Sequence, residues 1–246
     1  MKFIDIHCHI DMYGDKVAEV VKKAKEKDVG IIVNNGINVK TNRETIELST
    51  KFHELKSTLG IYPIEALDMT DKEIDAEIKF IEKNKDKIFS VGEVGIDLKE
   101  SSDLERQTVI FRKFIALAIK IDKPLTVHSR KAEKECVDIL ENMKAEKVIM
   151  HCFSGNMTLV KRIVDNGWFL SIPANVKNSE HFQNIVKKVD IKHLFCETDS
   201  PYLHPDKESD NEPANVIESY KKIAELKGLS LDEVKEKLWE NWESLN

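Results

Sequence analysis

The chain has 246 residues, and 41% of them are apolar, which is enough to bury a sizeable core in one barrel domain or in two smaller domains. Its net charge of −6 argues against a broad basic surface of the kind that binds duplex nucleic acid non-specifically. A polyanionic substrate would therefore need a local positive centre, which bound metal ions can supply. We favour one domain over residues 1–246.

Short β-type runs alternate with longer amphipathic stretches from the start of the chain to its end. This alternation is typical of successive βα units. Eight such units predict an α/β protein built as a closed (β/α)8 TIM barrel. The strands are predicted at residues 2–7, 29–34, 57–62, 87–93, 123–128, 147–151, 168–172 and 193–198.

Helical patterns fill the intervals between the predicted strands. Residues 102–120 carry apolar side chains close to a 3.6-residue period, which predicts an amphipathic helix. Two more helices are predicted near the C-terminus, at 213–226 and 230–241. Ser230 and Glu233 have the spacing of a capping box at the start of the second one.

The first strand ends in two histidines, His7 and His9. In a strand, side chains two residues apart point to the same face, so both imidazoles project together, with Asp5 behind them. Two imidazoles that converge at a strand end suggest one metal ion. A histidine pair alone is weak evidence, because satisfied or solvent-facing histidines are equally common.

Polar side chains also end four later strands. Glu93 lies between two glycines where the fourth strand stops, and His128 and His151 end the fifth and sixth. Asp199 follows the eighth strand, with Glu197 two residues earlier on the same face. Because barrel active sites assemble at the C-terminal ends of the strands, these side chains and the two N-terminal histidines predict a shared metal site.

Several neighbours of these residues have two open interpretations. Asp5 and Glu197 could orient a ligand or serve as buried structural groups. Ser129, Arg130 and Ser154 lie one to three residues beyond candidate ligands and could contact a phosphate, Arg130 in a bidentate manner. A structural salt bridge is equally open for Arg130.

The remaining four histidines are interpreted as ordinary structural or surface side chains, because they lie in helical or loop contexts or at a strand start. His204 is a partial exception, since it follows the last strand and could line the mouth of the site. The four histidines are His53, His181, His193 and His204.

Taken together, the motifs HCHID, GEVGID, HSR, HCFSG, ETDSPYL and NEP follow one another along the chain. In this order and spacing, the chain resembles the TatD family of metal-dependent hydrolases, within the amidohydrolase-like barrels. The resemblance covers nearly the whole chain. It implies a metal-dependent deoxyribonuclease, usually a 3'-5' exonuclease-like enzyme, with single-stranded DNA or DNA ends as substrate. No obligate protein partner is evident from the sequence.

The resemblance also assigns six residues to two divalent ions, which could be Zn, Mn, Mg or Co. Two histidine pairs each hold one ion, and Glu93 bridges them. Asp199 binds the first ion and the attacking water, and acts as general base in phosphodiester hydrolysis. The pairs are His7 with His9 for the first ion, and His128 with His151 for the second.

The chain departs from the family pattern at three places. Tyr62, in Gly60-Ile61-Tyr62-Pro63, stands where many members have Gly-x-His-Pro, and a phenol is no strong proton shuttle. It could donate a hydrogen bond to phosphate, stack on a base, or simply pack. Leu98 replaces a frequent aromatic, and residues 207–210 are more acidic than usual. The last two changes weaken a simple transfer of DNA binding.

Two other functions stay open. The first is hydrolysis of another bond by the same fold, such as the ester of a D-aminoacyl-tRNA or a small amide, lactone or phosphate ester. Many amidohydrolases bridge their metals with a carboxylated lysine on the fourth strand, so Glu93 favours the TatD arrangement. The second is a metal-stabilised binding protein without turnover, which predicts metals closed off by protein ligands.

The chain carries no signature of secretion or membrane insertion. No apolar run approaches the ~20 residues of a membrane span, and the chain enters a strand directly instead of a basic segment with a signal core. We therefore expect a cytoplasmic protein. The cysteines are widely spread without CxxC pairing, so no disulfide framework is expected. They are Cys8, Cys136, Cys152 and Cys196.

Overall fold

A computed structural model describes residues 1–206 and 210–245, so most of the acidic segment noted above lies outside the described residues. Eight strands form one sheet in the order β1 to β8 and alternate with helices, which is the (β/α)8 TIM barrel fold. The predicted fold class is confirmed. The strands are β1 Phe3–Cys8, β2 Val29–Asn35, β3 Leu55–Leu59, β4 Ile88–Gly95, β5 Leu125–His128, β6 Val148–Met150, β7 Phe169–Pro173 and β8 Leu194–Glu197.

The helices of the described ranges include the three that were predicted from the sequence at 102–120, 213–226 and 230–241, which correspond to α5, α9 and α10 below. The C-terminal one starts with the predicted capping box: Glu233 N–H donates to Ser230 Oγ at 3.2 Å, and Ser230 N–H donates to Glu233 Oε2 at 2.7 Å. The helices are α1 Val17–Glu26, α2 Val39–Lys51, α3 Pro63–Leu67, α4 Asp71–Lys83, α5 Leu104–Ile121, α6 Glu133–Asn142, α7 Met157–Asp165, α8 Glu180–Lys188, α9 Val216–Lys227 and α10 Leu231–Leu245.

The chain divides into two compact units, one formed by residues 1–34, 48–56 and 169–246, the other by residues 35–47 and 57–168. In the first unit, β1 pairs with β2, and β7 pairs with β8. In the second unit, β3 to β6 pair in sequence order. All these pairings are parallel. One domain over the whole chain stays a prediction.

The strands are buried, as expected for a parallel sheet whose two faces are both covered. Every residue of β1, β4, β7 and β8 is buried. Most of these side chains are apolar, but Asp5, His7, Glu93 and Glu197 are buried too. Burying a charged group costs free energy unless the group has hydrogen-bond or ion-pair partners. These four side chains are therefore expected to have a role other than filling the core.

The C-terminal ends of two strands differ from the predicted ones by two or three residues, and both matter for the site. The third strand ends at Leu59, not at residue 62, because Pro63 takes the first position of α3 and leaves Tyr62 as its N-cap. The fourth strand runs on to Gly95, so Glu93 lies within β4.

None of the helices in the described ranges is long and apolar enough to cross a membrane. The four cysteines all fall in those ranges, and none of them forms a disulfide bond there.

Candidate metal centre

His7, His9 and Asp199 form a first cluster of metal donors, in the first unit. The two histidine Nε2 atoms are 3.3 Å apart. Asp199 Oδ1 lies 3.6 Å from His7 Nε2 and 3.5 Å from His9 Nε2. The structure thus brings together three residues that the sequence placed at opposite ends of the chain.

The backbone positions Asp199 after β8. Asp199 adopts a left-handed φ of 55°, which aspartate tolerates better than most residues. Its N–H donates to the carbonyl of His7 at 2.9 Å, and the N–H of His9 donates to the carbonyl of Ser200 at 2.8 Å. These two bonds tie the turn that carries Asp199 to the end of β1.

Asp5 anchors the same turn. Its Oδ1 accepts a hydrogen bond from Thr198 N–H at 2.9 Å, and its Oδ2 accepts one from Thr198 Oγ1 at 2.6 Å. Burial raises the pKa of Asp5 well above its ordinary range, and the bonds from Thr198 only partly offset this. Glu197 similarly accepts a hydrogen bond from Ser171 Oγ at 2.5 Å. These contacts give both acids a structural role.

Glu93, His128 and His151 form a second cluster, in the second unit. His128 Nδ1 lies 2.8 Å from Glu93 Oε1, and His151 Nε2 lies 3.9 Å from the same oxygen. The two imidazole rings are 6.2 Å apart between centroids. The two predicted histidines therefore converge on one carboxylate oxygen of the third predicted residue, Glu93.

Asp97 contacts the second cluster, although the sequence analysis did not single it out. Its Oδ2 lies 2.9 Å from His128 Nε2 and accepts a hydrogen bond from the Tyr62 hydroxyl at 2.7 Å. Its Oδ1 accepts the backbone N–H groups of Lys99 at 2.8 Å and Glu100 at 3.0 Å. The signal in the sequence was an aspartate four residues after Glu93, just beyond an apolar strand.

The charges of this cluster are set by mutual contacts. Burial raises the pKa of Asp97, but the hydrogen bonds from His128, Tyr62 and Glu100 N–H outweigh it and hold that pKa below its ordinary range. Burial and the adjacent carboxylate raise the pKa of Tyr62, which keeps its proton. Burial lowers the pKa of His128, whereas Asp97 and Glu93 raise it more, so the net shift is upward.

Gly95 lets β4 and β5 approach closely at this point. It pairs with His128 in the strand register, and a Cβ at position 95 would overlap the carbonyl oxygen of His128. The second glycine of GEVGID is therefore required by packing, and it sets the distance between the strand ends that carry Glu93 and His128.

The model of the family described as TatD related DNase matches residues 4–246. The chain belongs to the TatD family. The resemblance drawn from the motifs is confirmed, and the chain is a metal-dependent hydrolase of this family.

Relatives of this TatD-family chain match it over nearly its whole length. The uncharacterized metal-dependent hydrolase MJ1582 of Methanocaldococcus jannaschii is 37% identical, over 98% of this chain and 95% of that protein. Deoxyribonuclease TATDN3 of Homo sapiens is 32% identical, over 97% of this chain and 92% of that protein. The crystal structure of YJJV, a TatD homolog from Escherichia coli K12, matches with a TM-score of 0.92 at 24% identity, covering 99% of this chain and 97% of that one, which shows the shared fold.

The donor atoms of the TatD-family chain fit divalent metal ions. In the first cluster, two imidazole nitrogens and a carboxylate oxygen all lie within 4.8 Å of one another. The second cluster offers the same two donor types. Imidazole and carboxylate ligands suit Zn, Mn and Co, and a site with three protein ligands leaves coordination positions for water or substrate.

The four residues predicted to contact substrate each have a partner within the protein. Arg130 Nη1 lies 3.2 Å from Glu100 Oε1, with both side chains about half exposed. Such an exposed ion pair is weak, so a phosphate can compete for the guanidinium. The other partners are Glu133 for Ser154, Asp206 for His204 and Asp97 for Tyr62.

Proposed function

We propose that this chain is a metal-dependent deoxyribonuclease that hydrolyses phosphodiester bonds at DNA ends, single-stranded ones above all, in a 3'-5' exonuclease-like manner. The observation that carries the proposal is the His7, His9 and Asp199 donor cluster, in a chain 32% identical to the human protein named deoxyribonuclease TATDN3. Phosphodiester hydrolysis needs local positive charge and an activated water, which such a cluster is suited to organise.

The proposal includes two divalent ions, held by the two donor clusters. When bound, the ions would activate a water and neutralise charge on the phosphodiester and its leaving oxygen. The residues of this chain hold and orient them. The first cluster supplies His7, His9 and Asp199, and the second supplies Glu93, His128 and His151.

Asp199 is the proposed general base. Its side chain is 16% exposed, so it is accessible at the end of β8 while its Oδ1 faces both histidines. A carboxylate can bind a cation through one oxygen and accept a proton through the other. Asp199 therefore suits both roles that the family resemblance gives it.

Substrate contacts are proposed for Arg130, Ser154, Tyr62 and His204. Arg130 is the strongest of these candidates, because its guanidinium can exchange Glu100 for a phosphate in a bidentate pair. In a chain of net charge −6, a few such local contacts must replace a basic surface.

The test uses single-stranded DNA labelled at the 5' end in one reaction and at the 3' end in another. With metal, we expect cleavage products that shorten stepwise from the 3' end, and no cleavage with chelator or with Glu93→Ala. Glu105→Ala, an exposed acid in the first turn of α5, is the matched control. A metal-loaded protein that leaves DNA intact would overturn the proposal, and D-aminoacyl-tRNA and small esters would be the next substrates to assay.

A further inference from the structure

His128 has a carboxylate at each of its ring nitrogens. Nδ1 faces Glu93 Oε1 at 2.8 Å, and Nε2 faces Asp97 Oδ2 at 2.9 Å. A neutral imidazole offers one nitrogen to a metal ion and carries its proton on the other. Which nitrogen serves the ion is therefore decided by the partner that accepts the proton.

Asp97 is held in place more firmly than a surface acid would be. The residue is fully buried, and its Oδ1 accepts two backbone N–H groups in the turn after β4. The side chain therefore cannot rotate without breaking two hydrogen bonds. Oδ2 is left to face His128 and the hydroxyl of Tyr62.

Tyr62 restrains both partners. Its hydroxyl donates to Asp97 Oδ2 at 2.7 Å, and its ring meets the His128 ring edge-on, with centroids 4.9 Å apart. A phenol has one proton to donate. Since that proton is directed to Asp97, Tyr62 acts on the carboxylate beside a candidate metal ligand.

We propose that Asp97 and Tyr62 are positioning residues that hold His128 with its Nε2–H toward Asp97 and its Nδ1 toward the metal ion. This inference rests on the proposed function, since it takes His128 as a ligand. It also gives Tyr62, which departs from the Gly-x-His-Pro pattern of the family resemblance, a role in metal binding in addition to its proposed substrate contact.

The two oxygens of Asp97 allow a structural role to be separated from a positioning role. Asp97→Asn keeps a carbonyl oxygen for the two backbone N–H groups but places an NH2 group toward His128. This amide donates to Nε2 and therefore favours the proton on Nδ1, the nitrogen that the ion needs. An Asp→Asn change beside a histidine can thus leave geometry intact and select the wrong tautomer.

The test measures Zn²⁺ binding by competition with a chromophoric chelator, without any substrate. The wild-type protein is expected to bind two ions. Asp97→Asn should lower the affinity for one of the two ions about 10–100-fold, as loss of a residue that hydrogen-bonds a metal ligand does. Tyr62→Phe should weaken the same ion by a smaller factor. Long-range ¹H–¹⁵N spectra of the Zn²⁺-loaded protein should show Nε2–H on His128 in the wild type.

Two controls match the variants. Asp103→Asn changes an aspartate that accepts a hydrogen bond from Arg106 N–H at 3.0 Å, and Tyr220→Phe removes a buried hydroxyl that accepts one from Ile4 N–H at 3.0 Å. Asp103 caps the start of α5 and Tyr220 bonds to the backbone of β1, so both variants should keep two ions at wild-type affinity.

The outcomes separate this inference from the proposed function. Unchanged Zn²⁺ affinity in both Asp97→Asn and Tyr62→Phe would overturn the positioning role while the metal centre stands. A wild-type protein that binds no Zn²⁺ would overturn both. If Asp97→Asn does not fold, Tyr62→Phe decides, because it removes one oxygen atom and leaves the turn after β4 intact.

Discussion

Single polar residues at the strand ends are oriented by specific hydrogen bonds. Asp199 faces His7 and His9 because Asp5 holds Thr198 and because two backbone bonds lock the turn. A carboxylate fixed in this way loses little entropy when it binds a cation or accepts a proton. Its contribution to the reaction can therefore be measured with an isosteric change.

Asp199→Asn should slow hydrolysis while preserving the fold. Asparagine keeps the size of the side chain but is a very poor proton acceptor, and loss of a general base typically costs about 10²–10⁴-fold in rate. The measurement is kcat on an oligonucleotide at saturating metal, with metal content determined on the same sample. A normal rate in a fully loaded variant would remove Asp199 as the base.

Tyr202 presents an exposed aromatic ring next to His9. It is 54% exposed, its ring centroid lies 6.3 Å from that of His9, and its hydroxyl approaches Met12 Sδ at 3.6 Å. An exposed aromatic ring beside a candidate metal ligand is suited to stack on a nucleobase.

Tyr202→Ala should therefore raise KM for single-stranded DNA about 5- to 160-fold, since a base stacked on an aromatic ring is worth about 1–3 kcal/mol, and leave kcat nearly unchanged. Tyr202→Phe should retain wild-type KM because it keeps the ring. An oligonucleotide with abasic terminal positions separates stacking from other effects: the Ala variant and the wild type should then bind it equally. If KM of the Ala variant stayed above that of the wild type on the abasic substrate, stacking would be contradicted.

The sequence predicted the histidine and acid clusters but not Asp97. The two-residue spacing of His7 and His9 predicts that they share a face, and the motifs supply the rest of the set. The contact between Asp97 and His128 joins residues 31 positions apart. It depends on the β4–β5 register and on the close approach at Gly95, neither of which a periodic pattern encodes.

Secondary-structure elements were predicted well where their ends carry a chemical signal. The capping box at Ser230 fixes the start of α10, and the apolar period of α5 is nearly right at both ends. The third strand ends at Leu59, three residues earlier than predicted. Gly60 and Ile61 continue its apolar run, but Pro63 already begins α3. Hydrophobic runs indicate an element, whereas local turn chemistry sets its ends.

The contact between α6 and α7 includes an ion-pair cluster. Arg162 Nη2 lies 2.5 Å from Glu141 Oε2 and 2.8 Å from Asp138 Oδ1. The hydrogen bond from Arg162 lowers the pKa of Glu141, and bonds from Lys134 and Arg162 lower that of Asp138. Both acids are therefore stabilised in their charged form in the folded protein.

Arg162→Leu should lower the free energy of unfolding by about 1 kcal/mol at pH 7, the upper range for partly exposed pairs. An acid whose pKa is lowered by folding stabilises the fold at pH values above its pKa in the unfolded state, which is about 4 for these acids. This stabilisation is lost as the pH falls through the lower pKa of the folded state. Urea unfolding of both proteins between pH 3 and 7 should show the difference shrinking below about pH 4. A difference that is constant with pH would show that packing, not charge, accounts for it.

The order of the strands and helices along the chain determined the overall fold. Parallel strands need crossovers of a dozen or more residues, so eight strands separated by helical stretches have few alternatives to the (β/α)8 arrangement. Composition also constrains how this fold would bind the DNA that we propose as its substrate. A net charge of −6 leaves metal ions and a few arginine or lysine side chains to attract phosphates.

The salt dependence of DNA turnover should therefore be shallow. Each phosphate neutralised on single-stranded DNA contributes about −0.7 to the slope of log affinity against log salt. With two or three contacts, log(kcat/KM) should fall with a slope of about −1.4 to −2.1 between 50 and 200 mM KCl at fixed divalent metal. Arg130→Gln should make the slope less steep by about 0.7, because it removes one cationic contact. A wild-type slope steeper than about −4 would instead require a continuous basic track along the DNA, which the charge of this chain argues against.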